Sequence, residues 1–341
     1  MQKPENKKLL WQLPFLVLLI VGTIFIIRQQ RNIPYQKSGD KVFGTFYHAT
    51  YQCDSDLSYS INQELAKVDQ SLSPFNPNSI ITAVNHNQDV KLNDMFLDVF
   101  NLAMKISDET DGAFDITVAP LVNAWGFGFK NGIEPSKQQV DSLMQIIGYK
   151  KVSLKRGKIS KTDDRIMLDC SAIAKGYGTD AVARLLRSKG ITNFMIEIGG
   201  EIVTSGVNPE QKPWRVGISK PVEDPMGVDQ GVQSIVAITD KAMATSGNYR
   251  NFYYKDGKRY AHTIDPKTGY PVQHSILSAT VFAKSCAIAD AYATSFMVMG
   301  LEKAKHILEQ HPELMAYLIY SDSDGKNAVW YSPSLKNKIQ N

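Results

Sequence analysis

Two stretches decide the fold: residues 243–272 have the sequence MATSGNYRNFYYKDGKRYAHTIDPKTGYPV, and residues 285–300 have the sequence SCAIADAYATSFMVMG. In the first stretch, two aromatic-rich segments of alternating polarity, residues 249–254 and 258–264, flank Asp256-Gly257. Asp-Gly supplies the positive φ angles of a tight turn, so the pattern predicts a β-hairpin. His262 lies near the end of its second strand, and a Pro/Gly-containing turn at residues 265–269 follows. A histidine beside such a polar corner indicates a site.

The second stretch predicts a helix with an unusual carboxylate. Ser285 is a suitable N-cap, and Gly300 a suitable C-terminal stop. Asp290 lies past the first turn among apolar neighbours, where an ionised carboxylate costs several kcal/mol unless it is paired or binds a metal. Thr294 is four residues further on and shares its face, and such oxygen ligands suit a hard cation such as Mg²⁺. A salt bridge from Asp290 to a nearby Lys or Arg is the alternative, and both stay open.

Composition excludes several classes of protein. The 341 residues are 43% hydrophobic and 21% charged, as in an ordinary globular enzyme. The net charge of +4 is spread without a dense basic block, which gives no support for nucleic-acid binding. Cys53, Cys170 and Cys286 form no close pair, which argues against a disulfide framework or a thiolate metal cluster.

The N-terminal region differs from the rest of the chain. After a short tail at residues 1–8, residues 9–27 are predominantly apolar and have about the minimum length for a bilayer-crossing helix. No small-residue cleavage site follows, so we expect an uncleaved single-pass anchor. Basic residues on both sides leave its orientation open. Residues 28–41 are interpreted as a polar linker, and residues 42–335 as the catalytic domain.

In the remaining chain, helices and strands intermix without a regular β-α-β alternation, which favours an α+β fold. Helices are predicted at residues 57–72, 94–110, 138–147 and 171–188. Strands are predicted at residues 41–51, 151–155 paired with 165–168, and 193–203 with a break at Gly199-Gly200. Residues 214–218 and 234–239 are expected to continue the same sheet.

Three further features carry possible chemistry. Lys175 lies in the first turns of a predicted helix that begins at Ser171, where free N–H groups attract anions such as phosphate; a surface lysine and a simple cap remain the alternative. Glu197 and Glu201 flank a glycine pair that lets the backbone approach a ligand, but a turn with ordinary exposed glutamates is the favoured interpretation. His262 has no ligand spacing with the other histidines, so a structural role stays open.

Five blocks of sequence together resemble the ApbE family, the FAD:protein FMN transferases. They are FGTFY (residues 43–47), GAFDITVAPLVNAWGFG (112–128), LDCSAIAKGYGTD (168–180), EIGGEI (197–202) and, counted together as the fifth block, the two stretches quoted first. Each block alone is weak, but their shared order makes chance similarity improbable. The resemblance implies an α+β fold and a magnesium-dependent reaction. In the implied reaction, FMN would be transferred from FAD to a Ser or Thr hydroxyl of a target protein, with release of AMP.

The resemblance also implies roles for individual residues. Asp290, Thr294 and the backbone carbonyl of Ala172 would bind Mg²⁺, and His262 would be the base for the acceptor hydroxyl. Contacts with FAD are implied for Phe43, Phe75, Ala113, Phe114, Asp115, Asp169, Lys175 and Ile264. Ala293 stands where some relatives carry a second acidic residue, which leaves one or two metal ions open. Ile116 replaces a proline that is common in relatives.

Partners and location follow from the same resemblance. The implied acceptors are membrane electron-transport subunits with a Ser/Thr flavinylation motif, and the implied location is the inner membrane with an extracytoplasmic catalytic domain. The lipid-attachment cysteine of many relatives is missing, so the apolar segment would be the anchor. Two alternatives remain: an FAD pyrophosphatase that uses water as the nucleophile, and a non-catalytic flavin-binding protein.

Overall fold

The computed structural model describes residues 7–31, 33–127, 134–221, 231–248, 252–255 and 258–340. The helices are α1 (Lys7–Arg31), α2 (Ser58–Leu72), α3 (Ile80–Asn85), α4 (Asp94–Glu109), α5 (Ala119–Ala124), α6 (Lys137–Met144), α7 (Ser171–Ser188), α8 (Cys286–Met299) and α9 (Leu301–Gln310). The strands are β1 (Tyr35–Val42), β2 (Thr45–Gln52), β3 (Val152–Lys155), β4 (Lys158–Lys161), β5 (Phe194–Ile198), β6 (Glu201–Ser205), β7 (Trp214–Ser219), β8 (Val232–Ile238), β9 (Lys241–Gly247), β10 (Phe252–Lys255), β11 (Lys258–Ala261), β12 (Ile276–Ala283), β13 (Met315–Ser321), β14 (Asn327–Tyr331) and β15 (Ile339–Gln340).

An eight-stranded sheet forms the centre of the fold. Its strand order is β1-β2-β5-β6-β9-β12-β13-β14, and every neighbouring pair is antiparallel. The short connections of β1 to β2 and β5 to β6 are hairpins, whereas helices are inserted elsewhere. A largely antiparallel sheet with interspersed helices is an α+β fold, which confirms the predicted class.

Both faces of this sheet are buried at its central strands. On β9 and β12, Ala244 and Val281 face a core formed with α2, α4, α7 and α8. Their neighbours Met243 and Phe282 point the other way, because side chains alternate along a strand, and pack with Val216 and other residues of a small sheet. That sheet has the order β15-β8-β7. The strands at residues 214–218 and 234–239 therefore form a separate layer, and the prediction that they continue the main sheet was wrong.

The second strand of the β3 hairpin was also predicted wrongly. β3 pairs with β4, which begins directly after a turn at Arg156 (φ 51°) and Gly157 (φ 75°). Residues 165–168 are not a strand. Asp163 accepts hydrogen bonds from the Arg165 backbone N–H and guanidinium, and this local turn competes with strand pairing.

The N-terminal part differs from its prediction in two ways. Among the described residues, no helix, α1 included, is both long and apolar enough to cross a bilayer, so the structure does not support the expected anchor at residues 9–27. The segment interpreted as a linker, residues 28–41, contains the end of α1 and most of β1 instead. β1 pairs with β2 across a turn at Phe43 (φ 49°) and Gly44 (φ 74°), so residues 41–51 are two strands.

The hairpin predicted before His262 is present. β10 and β11 pair antiparallel, with Lys255 opposite Lys258. Residues 249–251 and the Asp256-Gly257 turn lie outside the described residues. The corner at residues 265–269 is also a turn: the Gly269 N–H donates to the Asp265 carbonyl at 2.8 Å, and Gly269 has φ 80°.

Candidate active site

A cavity of about 700 Å³ lies where α7, the turn between β5 and β6, β9 and the segment after β11 meet. Its volume is in the usual range of small-molecule sites. Most of the predicted site residues line it, namely Phe75, Ala113, Phe114, Asp115, Asp169, Ala172, Lys175, His262, Ile264 and Thr294. Five separate parts of the chain thus converge on one place.

Phe43 and Asp290 are not among the lining residues. Phe43 lies in the turn between β1 and β2, and its ring packs on Gly178, where an added Cβ would come within 2.7 Å of it. A contact between Phe43 and FAD stays a prediction. Asp290 is only 3% exposed and lies behind the cavity wall. Its Oδ2 accepts a hydrogen bond of 3.0 Å from the Gly176 N–H of α7.

The positions of these residues depend on a close crossing of α7 and α8. Gly176 is the point of contact, because an added Cβ would lie 2.4 Å from the carbonyl oxygen of Cys286. Asp180 fixes the start of α8: its carboxylate accepts hydrogen bonds from Ser285 Oγ at 2.7 Å and from the N–H groups of Cys286 at 2.8 Å and Ala287 at 2.9 Å. A carboxylate at a helix N-terminus is stabilising. The crossing brings Asp290 to the N-terminal half of α7.

The predicted metal ligands fit a hard cation by their chemistry. Asp290 supplies a carboxylate, Thr294 a hydroxyl and Ala172 a backbone carbonyl, and all three are oxygen donors. Burial raises the pKa of Asp290, opposed by the Lys175 charge and the Gly176 N–H, so without a cation the carboxylate is held at a cost. The Thr294 hydroxyl lies 3.1 Å from Ser246 Oγ, which orients it. Within the described ranges, no group of three or more His, Cys, Asp or Glu could hold a metal by side chains alone.

Lys175 forms an ion pair that the sequence did not predict. Its Nζ contacts Glu201 Oε1 at the start of β6. Burial disfavours the charged form of Lys175, but attraction by Asp290 and Glu201 outweighs it and raises the Lys175 pKa. Burial raises the pKa of Glu201 to about 8, although the Lys175 charge opposes this. Glu201 is 1% exposed, so the interpretation of an ordinary exposed glutamate was wrong for this residue.

Asp115 and Asp169 shape the cavity wall through the backbone. Asp115 accepts hydrogen bonds from the N–H and hydroxyl of Thr117, both at 2.7 Å, and from the Tyr149 N–H at 2.8 Å. Its burial raises its pKa despite these bonds. Asp169 Oδ1 accepts from the N–H of Ser171 at 2.8 Å and from its hydroxyl at 2.5 Å, directly before α7. Both aspartates therefore hold the loops that present the cavity surface.

His262 lies directly after β11, on the cavity side of the hairpin. Its ring meets the Phe127 ring edge-on, with centroids 6.4 Å apart and planes at 69°. The next residue, Thr263, donates a hydrogen bond of 2.7 Å to Asn248 Oδ1. Trp125 Nε1 donates to the Gly269 carbonyl at 2.8 Å, so a buried indole holds the following corner in place. Ring packing and hydrogen bonds of neighbouring residues thus hold the segment that carries the imidazole.

The sequence prediction missed several residues of the cavity. Thr245, Ser246 and Gly247 at the end of β9, and both Glu197 and Glu201, line it. A signal existed for the glutamates, since the glycine pair between them takes positive φ angles of 61° and 105° and allows a tight turn beside the ligand space. No comparable signal marks β9, because its small polar residues are ordinary in a strand.

Comparison with known proteins shows which family the chain resembles. The model of the ApbE family matches residues 43–319. A FAD:protein FMN transferase of Escherichia coli K12 is 34% identical over 311 residues, covering 87% of each chain. A FAD:protein FMN transferase of Vibrio cholerae is 37% identical over 274 residues, covering 79% of this chain and 80% of that protein.

Solved structures of the same family are similar to this protein. The flavin transferase ApbE from Vibrio cholerae superposes with a TM-score of 0.80 at 34% identity, covering 89% of this chain and all of that one. The apo flavinyl transferase ApbE of Pseudomonas stutzeri has a TM-score of 0.79 at 28% identity, covering 89% and 96%. The shared fold and these relatives, which are named flavin transferases, show an enzyme of the transferase class. With its family model and relatives matched over most of the length, the chain belongs to the ApbE family.

Proposed function

We propose that this protein transfers FMN from FAD to a Ser or Thr hydroxyl of an acceptor protein, with Mg²⁺ bound and AMP released. The observation that carries the proposal is the convergence, in and behind one cavity, of Lys175, the start of α7, Thr294 with Asp290, and His262. These groups correspond to the needs of phosphoryl transfer: charge neutralisation for a pyrophosphate and a base for the attacking hydroxyl.

In the proposed reaction the acceptor hydroxyl oxygen attacks the phosphorus of the FMN half. A phosphoester bond forms, and the bond from that phosphorus to the bridging pyrophosphate oxygen breaks. AMP leaves with the electron pair, and His262 accepts the hydroxyl proton. A neutral imidazole suits this role because its ordinary pKa is near neutral pH.

The chain's own groups divide the other tasks. Lys175 and the free N–H groups at the start of α7 bind pyrophosphate oxygens. Asp290, Thr294 and the Ala172 carbonyl would hold Mg²⁺, which when bound neutralises phosphate charge. Phe75, 68% exposed in the cavity lining, offers a face on which a planar ring can stack. Contacts from residues 113–115, Asp169 and Ile264 to FAD belong to the same proposal.

One assay separates this function from its two alternatives. Enzyme, FAD and Mg²⁺ are incubated with and without a candidate acceptor protein, and AMP, free FMN and protein-bound flavin are measured. The proposal expects AMP and protein-bound flavin in equal amounts, only with the acceptor. Free FMN with no flavin on protein would identify a pyrophosphatase. Tight FAD binding without AMP release, unaffected by His262→Ala, would identify a flavin carrier.

The identity and location of the acceptor are further proposals. A membrane electron-transport subunit with a Ser/Thr flavinylation motif is the partner implied by the family resemblance. Inner-membrane attachment with an extracytoplasmic catalytic domain also stays a prediction of the sequence. Fractionation followed by protease digestion of intact and permeabilised cells tests it, because an extracytoplasmic domain is cut once the outer barrier alone is opened.

A further inference from the structure

Glu201 is a buried charged residue to which the proposed reaction assigns no role. It begins β6 directly after the Gly199-Gly200 turn, and its side chain is 2% accessible. One carboxylate oxygen, Oε1, pairs with Lys175, but Oε2 is buried and has no hydrogen-bond partner among the residues that the structure describes. A buried ion pair that is only half satisfied is a poor source of stability. A role in the site accounts better for its presence.

The position of Lys175 shows what that role is. A third of its side chain is accessible, and it lines the cavity. A lysine ammonium sits on a flexible four-carbon stem and needs a fixed partner to stay in one place. Besides Glu201, the negative charge that attracts Lys175 is Asp290, the residue assigned to the cation. Without Glu201, the ammonium would be drawn towards Asp290 and would compete with the cation there.

We propose that Glu201 is a positioning residue for the transfer: it holds the Lys175 ammonium towards the pyrophosphate and away from Asp290. The inference rests on the proposed function, since it requires FAD in the cavity. It assigns Glu201 no contact with the reacting atoms. Its effect on FAD passes through Lys175, and its removal matters only while Lys175 is present.

A simpler view makes the opposite prediction. If Glu201 were only a negative charge near the cavity, its neutralisation would remove repulsion and tighten the binding of anionic FAD. A positioning role predicts weaker binding after the same change, because Lys175 loses its place. The sign of the change in FAD affinity therefore distinguishes the two views.

The test uses Glu201→Gln, Lys175→Met and the double variant. Glu64→Gln is the matched control, because Glu64 pairs with Lys67 on α2, away from the cavity. Titration of flavin fluorescence gives the Kd of FAD without turnover, and AMP release gives kcat and KM. We expect Glu201→Gln to weaken FAD binding about tenfold or more and to lower kcat. The control should match the wild type in both.

The double variant completes the cycle. In the Lys175→Met background, we expect Glu201→Gln to change the Kd of FAD by no more than about twofold, because coupled residues are not additive. It should also raise the melting temperature, since it removes an unpaired buried carboxylate. This comparison holds even if Glu201→Gln alone folds poorly.

Two results would overturn the inference: tighter or unchanged FAD binding in Glu201→Gln, or a double variant that binds FAD clearly better than Lys175→Met. Failure of the proposed function is a different result. In that case the wild-type protein binds no FAD, or binds it and releases no AMP with Mg²⁺ and acceptor. Binding without AMP release leaves the FAD cycle to decide the role of Glu201.

Discussion

At the scale of single residues, the site contains more buried negative charge than positive charge. Two buried carboxylates, Asp290 and Glu201, surround one ammonium group, Lys175, and the raised pKa of each carboxylate reports the cost. An anionic pyrophosphate would add to the negative charge. On the proposed assignment, a divalent cation beside Asp290 would reverse this balance, and Lys175 could then meet a phosphate oxygen. The arrangement of charges is therefore one that a bound cation would complete.

Asp290→Asn tests the cation site directly. The amide has nearly the same shape, and it removes the charge that burial disfavours, so we expect a folded protein with an unchanged or higher melting temperature. Mg²⁺-dependent AMP release should fall about 100-fold or more, a loss typical of a group that stabilises transition-state charge. Thr294→Val should also lose activity, whereas Thr294→Ser keeps the hydroxyl and should keep most of it. Full turnover in Asp290→Asn would refute the ligand assignment.

His262→Gln tests the proposed base. The substitution should lower protein flavinylation by about 10² to 10⁴, the usual contribution of general base catalysis. The Kd of FAD should change little, because the imidazole is assigned to the acceptor proton. His306→Gln is a suitable control, since His306 lies on α9 with a side chain that is 68% exposed. Equal loss of FAD affinity and rate in His262→Gln would instead indicate a structural role.

At the scale of secondary-structure elements, the crossing of α7 and α8 determines the site. The helices approach so closely at Gly176 that its N–H reaches the Asp290 carboxylate. Asp180, one turn further along α7, caps α8 from the side. Two residues of α7 thus hold α8 in place, and the two helices act as one unit that carries the predicted ligands.

Gly176→Ala should push α7 and α8 apart. Its Cβ would meet the Cys286 backbone at 2.4 Å, and backbone cannot move aside as a flexible side chain can. We expect a loss of about 1–3 kcal/mol in unfolding free energy, typical of overpacking, measured by denaturant titration. Activity should fall more than stability suggests, because Asp290 moves away from α7. Gly22→Ala, in a helix with open space around the glycine, should cost nothing; a similar loss there would contradict the argument.

Local sequence predicted most elements because their signals are local. Ser285 and Gly300 mark the ends of α8, and the structure confirms both, with Ser285 accepting from the Ile288 N–H. The bounds of α2 and α4 were predicted to within a residue. The strand predicted at residues 165–168 does not form. Its sequence is apolar, but Arg165 donates to Asp163 and makes a local turn there instead. Most of β1 was not predicted, because its polar residues resemble a linker when the partner strand is not known.

At the scale of the whole molecule, the site depends on long-range topology that sequence patterns do not contain. Lys175 and Glu201 are both visible as charged residues, but their pairing requires α7 to pack beside the β5–β6 hairpin. The same holds for Ser246 and Thr294, which meet only because β9 lies under α8. Residue types at the site could be predicted locally and by family resemblance. The pairing of charged residues at the site could not be predicted, since it follows from the order of strands in the sheet.

Linkage between protons, Mg²⁺ and folding should be visible in the stability of the whole protein. The pKa of Asp290 is raised above its unfolded value of 3.8, first by burial and against the Lys175 charge. Above that unfolded value the folded state keeps a proton that the unfolded state has released. This contribution to the stability of the metal-free protein is therefore fully present below the unfolded value and is lost as the pH rises through the raised Asp290 pKa.

Mg²⁺ should reverse this loss, because it binds the deprotonated carboxylate of Asp290 in competition with the proton. We expect the rise in melting temperature on adding Mg²⁺ to be small near the unfolded Asp290 value of 3.8 and to grow as the pH rises through the raised pKa of this carboxyl. It should approach the equivalent of about 2.7 kcal/mol at a Mg²⁺ concentration 100 times Kd. Thermal melts with and without Mg²⁺ across this range measure it, and Asp290→Asn should abolish it. A shift that is independent of pH, or that persists in Asp290→Asn, would mean that the cation binds elsewhere.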